Sequence, residues 1–412
     1  MNSSPSEPFS PFPIARYWSA AGSSENSSGE TRTVRCELCP HECRIAPGKR
    51  GQCRIRLNAA GQLTAPFYGR FTSLAVDPIE KKPLYHFFPA SPVLSIGTAG
   101  CNLSCRFCQN WSISQTELDP LALSSITPED FAALAEKRGA PSVAFTYNEP
   151  SIWAEFVIDA AKECRRRRIR TVAVTNGLIR GRAREEFYDV MDAVNIDLKA
   201  FTNEFYHGLC GGGLESVQET IRYVAKETGV WMELTNLLVP TQNDSPDETK
   251  RMVDWLLETV GDEVPLHFSA FFPTYQLTEI PRTPPETLYA ALETAHRRGI
   301  RYAYVGNIGG DRGHSTLCPH CGETVIQRNG FRASNRLVPE FPPPPPTESA
   351  DGGYSLDGAI FRSTVGGYRW TAPPVPNGRS GNLPAKQVDS SPQKENHGCC
   401  SRCGTVIPGR FF

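Results

Sequence analysis

No apolar run in this chain approaches the ~20 residues that a membrane-spanning helix needs, so no membrane partner is expected. Nor is there a surplus of charge. Lys and Arg number 43 against 44 Asp and Glu, a net charge of -1, which gives no footing for nucleic acid or an anionic surface as a global partner. The first thirty residues lack an apolar core segment; they are rich in Ser and Pro and carry Glu7, Glu25 and Glu30. That pattern fits a disordered leader. It does not fit a secretory signal, and it is too acidic and too poor in arginine for a mitochondrial presequence. What remains is a chain of 412 residues, 39% hydrophobic and 21% charged, enough for one large domain with smaller modules or for two medium domains.

Cysteine, in contrast, is plentiful. Of 14 cysteines, 12 fall in tight clusters within 36–53, 101–108, 318–321 and 399–403. A disulfide framework spreads its cysteines through a small secreted domain, whereas clustered C-x2-C spacing in a chain without a leader signal reads as metal binding. A reducing compartment follows, and the expected location is the cytoplasm. Of the two single cysteines, Cys164 lies on a helical stripe with Trp153, Val157 and Ala160 and reads as core packing. Cys210 sits in the flexible-looking "LCGGG".

From about Pro92 the chain alternates short β-rich runs with amphipathic helical stretches. The runs are "VLSIG" (93–97), "SVAFT" (142–146), "TVAVT" (171–175), "AVNIDL" (193–198), "VWMELTNLLV" (230–239), "PLHFSAF" (265–271) and "YAYVG" (302–306). Thr127, Ser245 and Thr283 each precede a proline at a helix start, and Gly139, Gly261 and Gly299 follow the corresponding ends. Near-continuous apolar strands between helices predict parallel βα units and an α/β fold, a complete or partial TIM-type barrel with its chemistry at the C-terminal strand ends. The expected organisation is a leader over 1–32, a four-cysteine metal module over 33–60, a connecting segment over 61–92 and the barrel over 93–312. Zinc-ribbon-like halves follow over 313–335 and 397–412, separated by a Pro-, Gly- and Ser-rich insertion over 336–396 read as disordered. Its "PPPPP" is a weak candidate for an SH3-like partner against that disordered default.

The stretch "GTAGCNLSCRFCQNW" places Cys101, Cys105 and Cys108 just past the first parallel strand. Three thiolates suit an iron–sulfur cluster better than zinc, and with only three protein ligands one iron keeps an open position, the mark of a reactive site. The bland alternative is a zinc site completed by a distant residue. Cys36, Cys39, Cys43 and Cys53 make a closed four-ligand set, zinc by first preference and an auxiliary iron–sulfur cluster by second, with His41 able to replace one thiolate. Cys318 and Cys321, with Cys400 and Cys403, form two C-x2-C knuckles each followed by Gly, the halves of a zinc ribbon. Loop closure costs only about 0.6 kcal/mol per doubling of length, so the insertion does not prevent that site from closing. Cys399 is expected to stay outside it.

"CNLSCRFC" resembles the signature of the radical S-adenosylmethionine (radical SAM) superfamily. With "DPIEKKPLYHFFP", "FTYNEPSIWAE", "TNG" and "NIDLKAF" it is similar to the AmmeMemoRadiSam-system enzymes, themselves similar to pyruvate formate-lyase activating enzyme. The resemblance covers about Arg35 to Cys321 and resumes from Cys400. It implies a site-differentiated 4Fe-4S cluster on Cys101, Cys105 and Cys108, with SAM as its fourth partner beside Phe107. Reductive cleavage of SAM and hydrogen-atom abstraction from a peptide, protein or small organic substrate would follow, fed by a flavodoxin-like or ferredoxin-like electron donor. Glu149 matches the position that holds the SAM amino group, although the usual Gly-Gly-Glu is "YNE" here; alternatively it is a helix-starting Glu favoured by the macrodipole. Asn176 resembles a ribose contact or is a turn residue before Gly177. Asp197 and Lys199 lie beside SAM in the resembling enzymes. His267 is a contact to adenosine or carboxylate, or a satisfied core histidine. The contrasting reading is a non-catalytic zinc-ribbon interaction protein on a degenerate barrel. Neither reading names a substrate, but the charged and aromatic "DPIEKKPLYHF" is expected to line the open mouth near it, with a solvated linker as the bland alternative.

Overall fold

The computed structural model describes residues 11–21, 33–310, 312–339, 363–364, 367–368 and 397–411. Its centre is an eight-stranded sheet, and seven of the strands are parallel: β2 (Pro92–Gly97), β3 (Ser142–Phe145), β4 (Arg170–Thr175), β5 (Ala193–Asp197), β6 (Trp231–Leu238), β7 (Leu266–Ala270) and β8 (Ala303–Gly306). They neighbour one another in chain order, with registers such as Val143↔Leu94, Val172↔Ala144 and Val194↔Met232. The eighth, β1 (Ser73–Pro78), lies antiparallel on the edge against β2. Among the described residues no pairing joins β8 to β1, so the barrel is open.

Parallel neighbours need long crossovers, and amphipathic helices supply them. These are α1 (Pro128–Lys137), α2 (Ala154–Arg166), α3 (Gly181–Asp189), α4 (Leu214–Glu227), α5 (Pro246–Val260) and α6 (Pro285–Arg298). The strands are buried nearly throughout, as in β3, where all four residues are core, because helices cover one face and the cavity interior the other. Thr127 accepts from Asp130 N and Ser245 from Glu248 N, so both cap their helices as their sequences predict. Thr283 does not. Its hydroxyl donates to Leu238 O at 2.6 Å and accepts from Phe271 N at 2.8 Å, tying the ends of β6 and β7 together, and Pro284 becomes the cap of α6. Cys164 is buried in the core face of α2.

Three expected boundaries shift. Part of the expected leader is ordered: Trp18–Ala20 pairs antiparallel with Val34–Cys36, and Ala15 is buried. Residues 1–10 and 22–32 lie outside the described residues. The connecting segment contains β1, "SLAVDP", an edge strand completed by pairing with β2. Within the expected insertion, Val338–Pro339 pairs with Gly398–Cys399, which in turn pairs with Val406–Ile407, and Ser363–Thr364 pairs with Gly367–Tyr368. Residues 340–362, 365–366 and 369–396 of the insertion, "PPPPP" included, lie outside the described residues.

The C-terminal strands dock on the sheet. Arg410 N donates to His86 O at 2.7 Å, Phe88 N donates to Arg410 O at 2.6 Å, and His86 Nδ1 donates to Pro408 O at 2.8 Å. Arg328, from the hairpin Thr324–Asn329/Arg332–Asn335, lies 3.9 Å from the Tyr85 ring centre and donates to Tyr85 O. No described helix is long and apolar enough to cross a membrane.

Candidate active site at the C-terminal mouth of the sheet

The loop after β2 is shaped by backbone contacts on two sides. Asn148, just past β3, accepts from Thr98 N and donates to the carbonyls of Ala99 and Gly100. Ser104 N donates to Cys210 O at 2.7 Å and Arg106 N to Leu209 O at 2.9 Å, so the "LCGGG" segment runs alongside the cysteines. The glycines there permit the approach: a Cβ on Gly211 would lie 2.3 Å from Ser104 Oγ, and one on Gly212 would lie 2.5 Å from Leu103 Cδ2. On the other side a Cβ on Gly100 would lie 2.2 Å from Cys53 O.

This loop puts Cys101, Cys105 and Cys108 on the wall of a cavity of about 820 Å³. Phe107, Glu149, Asn176, Asp197, Lys199 and His267 line the same cavity. All nine residues singled out from the sequence for this centre are thus brought together. Phe107 is buried and packs on Phe205, with ring centres 5.6 Å apart. Cys105 is buried, and Cys101 and Cys108 are half-buried. Burial, the Glu149 carboxylate and Cys105 push the Cys101 thiol well above its ordinary range. Cys105 is held below it, by a hydrogen bond from the Cys210 thiol and, against burial, by the charge of Lys199.

Glu149 ends the β3 turn, 3% exposed, with three hydrogen bonds to its carboxylate. Oε1 accepts from Ser151 N at 2.9 Å and Thr175 Oγ1 at 2.7 Å, and Oε2 accepts from Asn176 N at 2.7 Å. Burial still leaves its pKa raised. The helix-starting role considered from the sequence is therefore present, since the Ser151 bond caps the turn Pro150–Trp153. A carboxylate has about four lone-pair sites, so one remains for a further donor. Asn176 is committed more fully. Its Nδ2 donates to Asn102 Oδ1 at 2.9 Å and reaches Cys101 Sγ at 3.7 Å, while its Oδ1 accepts from Leu178 N at 2.8 Å. Its polar atoms face the cysteine loop and the following turn, an arrangement that suits a sulfur neighbour better than a ribose contact.

Lys199 donates to Asp197 Oδ2 at 3.0 Å, two residues apart along the end of β5 and on the same side. Burial works against the Lys199 charge, but Asp197, Cys105 and Cys210 hold it well above the ordinary lysine range. His267 is buried, stacks on Tyr304 and donates from Nε2 to Glu233 Oε2 at 2.7 Å. It is a satisfied histidine and a cavity-lining one at once.

Of the two readings of the charged "DPIEKK" stretch, mouth lining or solvated linker, the first is what the structure has: Glu80, Lys81 and Lys82 line the cavity. Lys82, 2% exposed, donates to Asp77 Oδ2 at 2.7 Å, and Tyr147 OH donates to the same oxygen at 2.6 Å. Burial opposes the charge of Asp77, but these bonds and Lys81 hold its pKa well below the usual range; burial lowers that of Lys82. Glu233 is buried inside the apolar run of β6 and accepts from Tyr85 N, His86 N, Trp231 Nε1 and His267. A lone acid in such a run was the available signal.

The two outer cysteine sets differ from each other. Cys318, Cys321, Cys400 and Cys403 hold their sulfurs within 4.8 Å of one another, with 3.6 Å between Cys318 and Cys403 and 3.7 Å between Cys321 and Cys400. Four ligands at about 2.3 Å from one tetrahedral ion stand about 3.8 Å apart, so this set fits a single ion. Cys399 lies in strand Gly398–Cys399 and is not one of the four. In the N-terminal module Cys36, Cys39 and Cys53 are buried and Cys43 half-buried. His41 Nε2 donates to Asn102 O at 2.7 Å.

The fold and the cavity together define an α/β protein with metal-binding thiols at the C-terminal mouth of an open parallel βα barrel. A family model described as Radical SAM superfamily matches residues 95–256. A Methanocaldococcus jannaschii protein, "Uncharacterized protein MJ0808", is 42% identical over 300 residues, which span 73% of this chain and 89% of that one. The pyruvate formate-lyase 1-activating enzyme of Escherichia coli K12 is 27% identical over 162 residues, spanning 37% of this chain and 63% of that enzyme. Among solved structures, a domain of the pyruvate-formate lyase-activating enzyme from Bacteroides vulgatus ATCC 8482 matches with a TM-score of 0.36 and 21% identity, covering 40% of this chain and 98% of that one. The chain belongs to the radical SAM superfamily and is similar to pyruvate formate-lyase activating enzymes. Membership implies an enzyme that uses a 4Fe-4S cluster and SAM.

Proposed function

We propose that Cys101, Cys105 and Cys108 hold a site-differentiated 4Fe-4S cluster and that the enzyme abstracts a hydrogen atom from a peptide, protein or small organic substrate, in the manner of an activating enzyme. One observation carries this reading: the three thiols share a single cavity with Glu149, Asp197 and Lys199. The donor set fits. Three thiols leave one iron open, and Glu149 retains an acceptor site for an ammonium. When bound, the cluster and SAM supply an electron and the carbon–sulfur cleavage that gives methionine and a 5′-deoxyadenosyl radical.

The chain's own residues bind, orient and shield. Asn176 steadies Cys101 through its amide, and Lys199 sets positive charge beside Cys105. Phe107 and the buried strand ends exclude water from one side of the cavity. The electron donor expected is a flavodoxin-like or ferredoxin-like protein. Zinc is the ion proposed for the four C-terminal cysteines, whose sulfur spacing supports it.

The test is anaerobic reconstitution followed by reduction in the presence of SAM. Release of 5′-deoxyadenosine that disappears in the Cys101→Ala/Cys105→Ala/Cys108→Ala protein is the expected result. Full iron loading with no deoxyadenosine would overturn the proposal.

A further inference from the structure

We propose that Cys36, Cys39, Cys43 and Cys53 hold a second iron–sulfur cluster, not a zinc ion, and that it receives the electron destined for the Cys101–Cys108 loop. The first half of this statement stands on the N-terminal module alone, whereas the second rests on the function proposed above.

Sulfur spacing separates the two metal classes. Around one tetrahedral ion four thiolates crowd to about 3.8 Å, and the C-terminal set is drawn together in that way. In a four-iron cluster each thiolate binds a different corner, so the sulfurs stand further apart than around one ion. Among the described residues, only the C-terminal cysteines bring three or more ligand atoms within 4.8 Å of one another. Neither the N-terminal four nor the Cys101 loop is drawn together in that way. Their sequence spacings are also related, because Cys36-x2-Cys39-x3-Cys43 repeats in reverse order the x3 and x2 gaps of Cys101, Cys105 and Cys108. A zinc ribbon would bring a second C-x2-C pair. Here the fourth cysteine, Cys53, stands alone.

The surroundings suit an anionic redox centre. Cys36, Cys39 and Cys53 are 6–8% exposed and belong to one continuous apolar core with Ile55, Ala99, Leu103 and Cys105. The guanidinium of Arg56, itself 1% exposed, lies close enough for its charge to act on both Cys36 and Cys53, and its Nε has no hydrogen-bond partner. Fixed positive charge beside the sulfurs favours the more negative, reduced state.

Placement supplies the role. Cys53 O faces Gly100, the residue before Cys101, so closely that no Cβ fits between. His41, between Cys39 and Cys43, donates to the carbonyl of Asn102, the residue after Cys101. The two cysteine sets are therefore joined by packed protein on both flanks of Cys101. Cys43, half-buried, is the side open to a carrier. The step is a transfer of one electron: a low-potential one-electron carrier protein is oxidised by one, the N-terminal centre is reduced by one, and the same electron leaves toward the Cys101 loop. No bond or proton changes.

The experiment measures iron, acid-labile sulfide and zinc in the anaerobically reconstituted full chain, with electron paramagnetic resonance after reduction by a flavodoxin. The proteins are the wild type, the Cys101→Ala/Cys105→Ala/Cys108→Ala variant and a Cys36→Ala/Cys39→Ala variant. Expected are about eight irons per chain in the wild type and about four in each variant, with flavodoxin reducing the centre that remains in the first variant. Four irons in the wild type and none in the first variant, with the same zinc content in both, would overturn the proposal while leaving the proposed function intact. A cluster in that variant that flavodoxin cannot reduce would overturn the electron-receiving role. Iron confined to the N-terminal cysteines in the wild type would instead sink the proposed function and leave this site standing. Should the first variant fail to fold, the wild type read against the Cys36→Ala/Cys39→Ala variant still decides: iron that falls with that variant means a cluster at the N-terminal site, and iron unchanged at about four means zinc.

Discussion

The side-chain amide of Asn176 reaches 3.7 Å from Cys101 Sγ while its backbone amide is held by Glu149 Oε2 at 2.7 Å. One residue thus links the sulfur loop after β2 to the carboxylate after β3. Hydrogen bonds to cluster sulfurs favour the reduced, more negative state. Asn176→Ala is expected to shift the potential of the Cys101-loop centre downward by about 60 mV, the one-electron equivalent of about 1.4 kcal/mol. Redox titration checks this, with iron content confirming that the site still loads.

Glu149→Gln tests the same link from its other end. A glutamine cannot accept with its NH2 group, so at least one of the Ser151, Thr175 and Asn176 donors loses its partner in a buried place. The expected cost is about 1–3 kcal/mol of stability in chemical denaturation, with weaker SAM binding by calorimetry. Unchanged SAM affinity would remove Glu149 from the binding role.

The Asp77–Lys82 pair, buried at the edge of the cavity, is expected to behave as a coupled unit. Lys82→Met leaves a buried carboxylate with less compensation and should cost about 3 kcal/mol. Asp77→Asn/Lys82→Met should lose less than the sum of the single changes. Additive losses in urea denaturation would mean that the pair contributes no coupling.

His86 carries a pH dependence of defined sign. Burial pushes it down to about 4 from an ordinary 6.5, so between those values the unfolded chain takes up a proton that the folded one refuses. Stability should therefore fall as pH drops from 6.5 toward 4, by about 3 kcal/mol from this group. Denaturation of His86→Gln against wild type across that window isolates the slope.

Removing the C-terminal ion should loosen a segment far from it in sequence. Cys318 and Cys321 meet Cys400 and Cys403 only across the insertion, and the tail beyond them clamps His86 and Phe88 through Arg410. A chelator, or Cys400→Ser/Cys403→Ser, is expected to release about one metal ion per chain and to speed exchange of the Phe88 and Arg410 amides roughly tenfold or more. Hydrogen exchange read by mass spectrometry reports it.

The barrel was legible because its signals are local. Each parallel strand lies within a residue or two of an apolar run, and Thr127 and Ser245 cap as their Pro-containing contexts imply. Thr283 has the same context but is drawn to two strand ends instead, a tertiary demand with no local signal. β1 has a similar reason: so short a run, "SLAVDP", ending in Asp77 and Pro78, becomes a strand only through pairing with β2. At the site, residues at strand ends and the charged stretch around Lys82 could be read from the sequence, whereas Glu233 could not be placed. Buried acids beside the cavity are held by partners distant in sequence, Tyr147 for Asp77 and His267 for Glu233.

Gly100, Gly211 and Gly212 bring bare backbone against the cysteine loop from two directions, leaving no space for even a methyl group. A loop gripped in that way is expected to keep its shape through polypeptide contacts, with the sulfurs set on the cavity wall before iron is loaded. Loading should consequently change the shape of this protein little, and a side chain added at Gly211 should block maturation by displacing the mould itself, with all three cysteines still in place.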